Sequence, residues 1–502
     1  MNTNTKKKLS SFIRAIILAS MVLLSSAGAM AGTSNLPAKV DAFIDKLDEK
    51  INALPGVSIA IVQNDQVLLT EGYGVVDVNT KEPFTKDTYS YIASGTKAIV
   101  GLAIATLAER GEIDLDAPIG CTYLSDMNQE KLGLFATVTF RQLLTHTHGL
   151  DGGSIGFRTA FTGDVNSDII WNLLGQVSES KEGTVFNYSN FGYVATSYVL
   201  EHIYNETWQK IVERTVVSPS GMNSTTFQVS NLVGRSVAMP HQWMGSANRV
   251  PLFKRDNTMH AGGGQFSTAN DLSRWLELNL NEGVIDGEQV LPASAVTLAQ
   301  APLATLDEEF YAFKRVAYGL GWYRSDYEGV ELLHHLGAFT GYRSHVSIMP
   351  SIGLGVAVLT NDAGPATFNL PDMIATYIYD IALGKEGVEE KFDAELVILA
   401  ERIAPFVDRT GPIRPRNTPD NEPEYAGVYK NDQWGVWELR ENNGLLQLHW
   451  GNAISDLIYV EKDGDTLMRI EISGRGYFAH PQWTDDGKIS AFTFRGIKFE
   501  RQ

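Results

Sequence analysis

From Gly95 to Glu109 the chain is almost wholly apolar, and the run stops at Gly111. It reads as a helix with a glycine stop and no polar face to turn to water, so it has to be buried on every side. The chain has room for the layers this requires. At 502 residues it is too long for one hydrophobic core, and two or three domains are expected.

Residues from about Pro37 to Lys385 read as one unit mixing helices and strands. A helical pattern, Val40 to Ile51, opens it. Two strand-like runs follow, Val57 to Gln63 and Gln66 to Gly72, with Asn64-Asp65 as the turn of an antiparallel hairpin. Gly341 to Met349 and Gly353 to Thr360 form a second strand pair, and a helix from Asp372 to Leu383 closes the unit. Strands at both ends with helices between predict an α+β fold, an antiparallel sheet flanked by helices. Residues 386–421 are expected to be a helix (Ala394 to Phe406) and a Pro-rich linker from Thr410 to Asp420. Beyond this, short apolar runs alternate with turns at Asn442-Asn443-Gly444, Asp463-Gly464-Asp465 and Asp485-Asp486-Gly487. Residues 422–502 therefore read as a small all-β barrel or sandwich.

The first residues follow a different pattern. Lys6, Lys7, Lys8 and Arg14 precede an apolar run from Ala15 to Leu24, and Ala29-Met30-Ala31 ends it. This is the layout of a signal peptide over residues 1–31, expected to be cleaved after Ala31. The run is short for a membrane span, and no stable span is expected after cleavage. Without the leader, the net charge of −18 loses four positive charges and becomes −22. Such a chain repels nucleic acid and anionic lipid, so neither is expected as a partner. Cys121 stands alone, which excludes an internal disulfide.

Three short patterns carry chemistry. Ser94 and Lys97 open the apolar helix three residues apart, on one helix face. The helix start brings free N–H groups and partial positive charge to the serine. A serine hydroxyl needs a base beside it, and a lysine whose pKa is lowered by burial can serve. Tyr188 and Asn190, two apart, are placed to enter one cleft together. A tyrosinate beside an ammonium is a second way to make the base. His335-Leu336-Gly337 precedes Ala338 and a strand. The glycine allows close backbone approach, and the Ala338 and Ser94 N–H groups are candidates to hold an oxyanion.

In this order, these patterns resemble the serine β-lactamase-like family, in its branch of class C β-lactamases, D-alanyl-D-alanine carboxypeptidases, D-aminopeptidases and esterases. The stretches Leu143–Leu150, Gly262–Leu272 and Tyr318–Trp322 agree, and the likeness covers about residues 38–385. It implies a β-lactamase/transpeptidase-like sheet with a helical subdomain. It implies that Ser94 is the acylated nucleophile, with Lys97 and Tyr188 as the proton-handling pair. Asn190, His335, Gly337 and Ala338 are implied to bind substrate. His335 stands where penicillin-active members carry a lysine, so the grip on a substrate carboxylate is expected to be weak; Arg343, close in sequence, is a candidate to supply that charge. His148 stands where the family often has a serine. The tail, from Glu424-Tyr425-Ala426-Gly427 to Phe499-Glu500-Arg501, resembles a lipocalin-like domain appended to some members.

The resemblance implies a hydrolase, and the leader pattern an exported one, expected in the periplasm or outside a bacterial cell. It would form an acyl-enzyme on amide or ester bonds of a small molecule, short (D-amino-acid) peptide or cell-wall fragment. The alternatives are a penicillin-binding sensor that acylates without turnover and a class C β-lactamase. Homo-oligomers through the C-terminal domain are a further expectation. No cofactor is called for: no phosphate-binding loop or dinucleotide fingerprint appears. His146-x-His148 lacks a third ligand at metal spacing. Gly152-Gly153-Ser154-Ile155-Gly156 fits a nucleophile-elbow pattern but follows a loop, where that motif needs a buried strand.

Overall fold

The computed structural model describes residues 35–51, 54–163, 165–243, 246–250, 254–256, 258–407, 417–462, 464–472 and 475–502. The expected leader and most of the Pro-rich linker lie outside them. No helix among the described residues is long and apolar enough to cross a membrane.

The described residues open with α1 (Leu36–Ile51), followed by β1 (Gly56–Gln63) and β2 (Gln66–Gly74). Asn64 and Asp65 join the strands with φ of 48° and 64°, left-handed values that a two-residue hairpin turn demands and that Asn and Asp tolerate. Three helices that follow bear on the site: α2 (Thr96–Glu109), α3 (Asn190–Tyr204) and α4 (Ala269–Leu280). A short α5 (Ala293–Gln300) leads into β3 (Ala304–Phe310), β4 (Phe313–Tyr318), β5 (Tyr323–Tyr327), β6 (Val330–Phe339), β7 (Tyr342–Met349) and β8 (Leu354–Thr360). These strands and the first hairpin make one antiparallel sheet in the order β3-β4-β5-β6-β7-β8-β1-β2. Two further helices, α6 (Leu370–Ala382) and α7 (Val388–Val407), follow the sheet.

Both faces of the central strands are covered. On β1, Val57, Ile59 and Ile61 join one core with α1, α6 and α7, while Ala60 and Val62 join a second core with α2, α3 and α4. That split is the two-residue alternation of a strand, read here as an unbroken apolar run because neither face meets water. β7 is equally buried yet polar, and its groups are paired: His345 lies 2.8 Å from Asp372 and 2.7 Å from the Tyr379 hydroxyl, both on α6. α7, read from sequence as part of the connection, packs back on the first unit. Its Phe392 meets Phe43 of α1 edge-on at 5.6 Å, and Lys46 donates to Asp393 at 2.8 Å.

The tail is a closed eight-stranded barrel: β9 (Gly427–Asn431), β10 (Gly435–Asn442), β11 (Leu445–Trp450), β12 (Ala453–Lys462), β13 (Asp465–Ile472), β14 (Arg475–Trp483), β15 (Ile489–Phe494) and β16 (Ile497–Arg501). Each strand pairs with its chain neighbour, and β9 pairs with β16 to close the ring, which leaves no sheet edge. Trp437, Trp450, Phe492, Phe494 and Phe499 fill the interior. The barrel is docked through Phe157, whose ring packs 4.8 Å from Trp450 and 5.2 Å from Trp434. Polar contacts frame this ring: Arg158 donates to the Gln433 carbonyl at 3.0 Å, and the Asn452 N–H to the Thr162 carbonyl at 2.6 Å.

Candidate active site

Ser94 sits in a single 3-10 turn, Ala93–Gly95, that leads directly into α2. Ala93 carries a left-handed φ of 47°, which a non-glycine residue adopts only when its surroundings fix it. They do so here. The Gly95 N–H donates to the Ile92 carbonyl at 3.1 Å, and the Thr96 hydroxyl donates back to the Ala93 carbonyl at 2.7 Å. One turn on, Lys97 is fully buried.

The Lys97 amine has three neighbours: the Ser94 hydroxyl at 3.3 Å, the Asn190 side-chain oxygen at 2.7 Å and the Gly262 carbonyl. Burial drives its pKa well below the ordinary 10.5. A neutral amine has two N–H donors and one lone pair. Asn190 and Gly262 accept the two donors, which leaves the lone pair for the Ser94 O–H. Gly262 lies in the Gly262–Leu272 stretch singled out in the sequence, but nothing there marks its carbonyl as an acceptor for Lys97.

Tyr188 faces the same serine. Ser94 acts on its phenol at close range, and its ring centroid lies 5.0 Å from the Lys97 nitrogen. It keeps 37% of its surface open to the cleft, yet burial still pushes its phenol pKa up. With the phenol pushed up and the amine pulled down, the proton stays on Tyr188. The tyrosinate–ammonium arrangement read from sequence is therefore the disfavoured one. The neighbouring loop is held by the Leu143–Leu150 stretch: the Ser189 N–H donates to the His146 ring at 3.2 Å, the Asn187 N–H to the His146 carbonyl at 2.9 Å, and the Tyr193 hydroxyl to the Leu144 carbonyl at 2.9 Å. The His146 and Tyr188 rings lie 4.5 Å apart. Ser189 caps α3, so Asn190 enters the site as its first residue.

The wall opposite is the end of β6. β5 pairs with β6 only as far as Tyr323–His334, so residues 335–339 have no partner on that side. Gly337 explains how the strand reaches the nucleophile turn. A Cβ there would come within 2.1 Å of the Ile92 carbonyl oxygen and 2.2 Å of the Ser344 hydroxyl. The glycine therefore answers to the protein's own backbone. Ala338, the next residue, is exposed on the cleft wall.

His335 is 1% exposed, and both ring nitrogens are engaged, one with the Tyr318 hydroxyl at 3.1 Å and one with the Leu336 carbonyl at 2.9 Å. Burial, with Lys97 nearby, holds its pKa well below 6.5, so it is neutral rather than half-titrated. Arg343 does not supply the missing charge. It is buried behind the strand, where it donates to the Gly337 carbonyl at 2.9 Å and the Phe368 carbonyl at 2.8 Å and pairs with Asp372 at 3.4 Å.

The remaining candidates are peripheral. His148 accepts the Leu150 N–H at 3.0 Å and packs on Phe191. Ser154 lies in a short helix, Gly153–Phe157, after a two-residue strand, which is not the elbow its motif requires. No cluster of three or more metal-ligating side chains occurs among the described residues.

Comparison with known proteins places this geometry among relatives. Residues 40–376 match the profile of the family described as Beta-lactamase. Protein flp of Staphylococcus aureus is 27% identical over 333 residues, 66% of this chain, and the match spans 64% of that relative's length, under two thirds. The unguisins hydrolase ungD of Aspergillus violaceofuscus is 22% identical over 427 residues, 78% of this chain and 74% of its own. Among solved structures, an octameric penicillin-binding protein homologue from Pyrococcus abyssi aligns with a TM-score of 0.58 and 22% identity, covering 92% of this chain and 99% of its own. A D-amino acid amidase from Ochrobactrum anthropi SV3 aligns at 0.54 and 20% identity, over 74% and 99%. These likenesses in structure show a shared fold.

Proposed function

The chain belongs to the beta-lactamase family of serine hydrolases, which act on amide or ester bonds, and we propose that it is an exported member working through an acyl-enzyme on Ser94. The observation that carries this is the Lys97 amine, 3.3 Å from the Ser94 oxygen with both N–H donors committed elsewhere. As Ser94 attacks a carbonyl carbon, its proton passes to the Lys97 lone pair. The Ser94 and Ala338 N–H groups stabilise the oxyanion. The carbonyl–leaving-group bond then breaks. The leaving group takes the Tyr188 phenol proton, which the Lys97 ammonium replaces. Water repeats the sequence on the acyl-enzyme and frees Ser94.

The reading favours short peptides or esters, including D-configured ones. A solved neighbour described as a D-amino acid amidase supports this class, and the neutral His335 disfavours a dedicated β-lactamase. Export rests on the basic and apolar pattern of residues 1–31. Self-assembly is supported by the octameric homologue and by exposed apolar residues on the barrel, Ile454 at 58% and Trp483 at 42%. Ester turnover with a burst of leaving group is the test. The burst should be absent in Ser94→Ala, and equal steady rates for both proteins would overturn the proposal.

A further inference from the structure

The cavity in front of Tyr188 encloses about 520 Å³. Its walls are the nucleophile side (Tyr188, Asn190), the end of β6 (Ala338, Phe339) and an apolar rim that includes Phe161 and Phe368. One further residue reaches it from outside the hydrolase unit: Arg495, at the tip of the β15–β16 hairpin of the barrel. Among the described residues it is the only charged side chain on the cavity wall.

The tip is built to hold its place. Phe494 pairs with Ile497, so Arg495-Gly496 is a two-residue turn, with φ of 52° and 80°. The first strand of that hairpin is anchored where the barrel docks, because Phe494 belongs to the ring cluster around Phe157. Behind the turn, the guanidinium lies 5.9 Å from the Tyr477 ring. No carboxylate of the described residues pairs with it.

The other cations near the cleft are unavailable to substrate. His335 is neutral and spent on Tyr318, Arg343 is locked to Asp372, Arg315 is buried and paired with Glu308 at 3.3 Å, Lys254 is buried over the Tyr91 and Phe266 rings, and Lys97 must be uncharged to accept a proton. Among the described residues lining this cavity, a substrate anion therefore has one counter-charge to meet.

We propose that Arg495 makes the barrel a specificity element: it binds a carboxylate carried by the substrate, away from the scissile carbonyl, while the aromatic rim takes an apolar side chain. The substrate class is then a short peptide or ester with one apolar group and one free carboxylate. Arg495 touches substrate without touching the reacting atoms. This rests on the hydrolase reading above.

The test uses the full chain and two pairs of thioester reporters. One pair is a D-phenylalanyl thioester capped with succinyl or with acetyl. The other is the acetyl-capped compound with a carboxymethyl or a carbamoylmethyl leaving group. Wild type is expected to favour the acid in at least one pair by about tenfold, the range of one partly exposed charge-assisted bond. Arg495→Asn, which keeps a residue tolerant of the left-handed turn, should abolish that preference and leave turnover of the neutral twin unchanged. Arg495→Lys should restore part of it, and added salt should shrink it. No preference in either pair, or one that survives Arg495→Asn, overturns the role of Arg495 while the hydrolase stands. No turnover of any reporter, with no adduct on Ser94, overturns both.

Discussion

At the scale of the residue, the site turns on where one proton sits. Burial lowers the Lys97 pKa, and only the neutral amine can accept the Ser94 proton. Activity should therefore be lost at low pH and rise as Lys97 deprotonates, reaching its plateau well below 10.5. The raised Tyr188 phenol adds no alkaline decline below about pH 10, since it keeps its proton beyond the ordinary tyrosine range. A kcat/KM profile with an ascending limb at ordinary lysine pH would contradict this. Lys97→Ala should lower kcat by about 10²–10⁴-fold, the span of a general base, and Tyr188→Phe should slow poor leaving groups more than good ones. Steady-state kinetics on an amide and an aryl ester would separate the two. That Ser94, Lys97 and Tyr188 come together was legible, because each lies in a short pattern whose spacing has local geometric meaning. The neutrality of His335 and the acceptor role of the Gly262 carbonyl were not, because both arise from burial by segments distant in the chain.

At the scale of the element, α2 is placed by close approach. A Cβ at Gly101 would lie 1.9 Å from the Leu320 carbonyl oxygen, and one at Gly321 would lie 2.4 Å from the Lys97 carbonyl oxygen. The Tyr318–Trp322 stretch is thus a backbone bearing for the helix that carries Lys97. Alanine at position 101 would gain about 1 kcal/mol in helix propensity. The clash outweighs it, because overpacking costs about 1–3 kcal/mol and the neighbour is backbone. Gly101→Ala should lower both the unfolding midpoint in urea and kcat; unchanged kcat would show that α2 need not sit this close. The buried helix, the Asn64-Asp65 hairpin and the all-β tail were legible from period and turn chemistry. The 3-10 turn holding Ser94 was not, since its form depends on the Gln265 carbonyl and the Thr96 hydroxyl locking Ile92 and Ala93 in place. The packing of α7 on α1 was also hidden, because its apolar stripe does not name the surface that covers it.

At the scale of the whole molecule, two units meet beside one cleft. Phe157 belongs to the hydrolase unit but is buried among barrel rings, so Phe157→Ala should remove about 3–5 kcal/mol from their association. Differential scanning calorimetry should then show the barrel transition separating from the main one; a single unshifted transition would deny the docking its role. Export predicts that the protein recovered from the periplasm or medium begins at Gly32, which N-terminal mass analysis reads directly. The central claim concerns one bond. Intact-mass spectrometry of the protein mixed with a slowly hydrolysed ester, followed by peptide mapping, should show one acyl group on the peptide carrying Ser94, decaying as product forms and absent in Ser94→Ala. An acyl group mapped to any other residue, or undiminished turnover in Ser94→Ala, would contradict it.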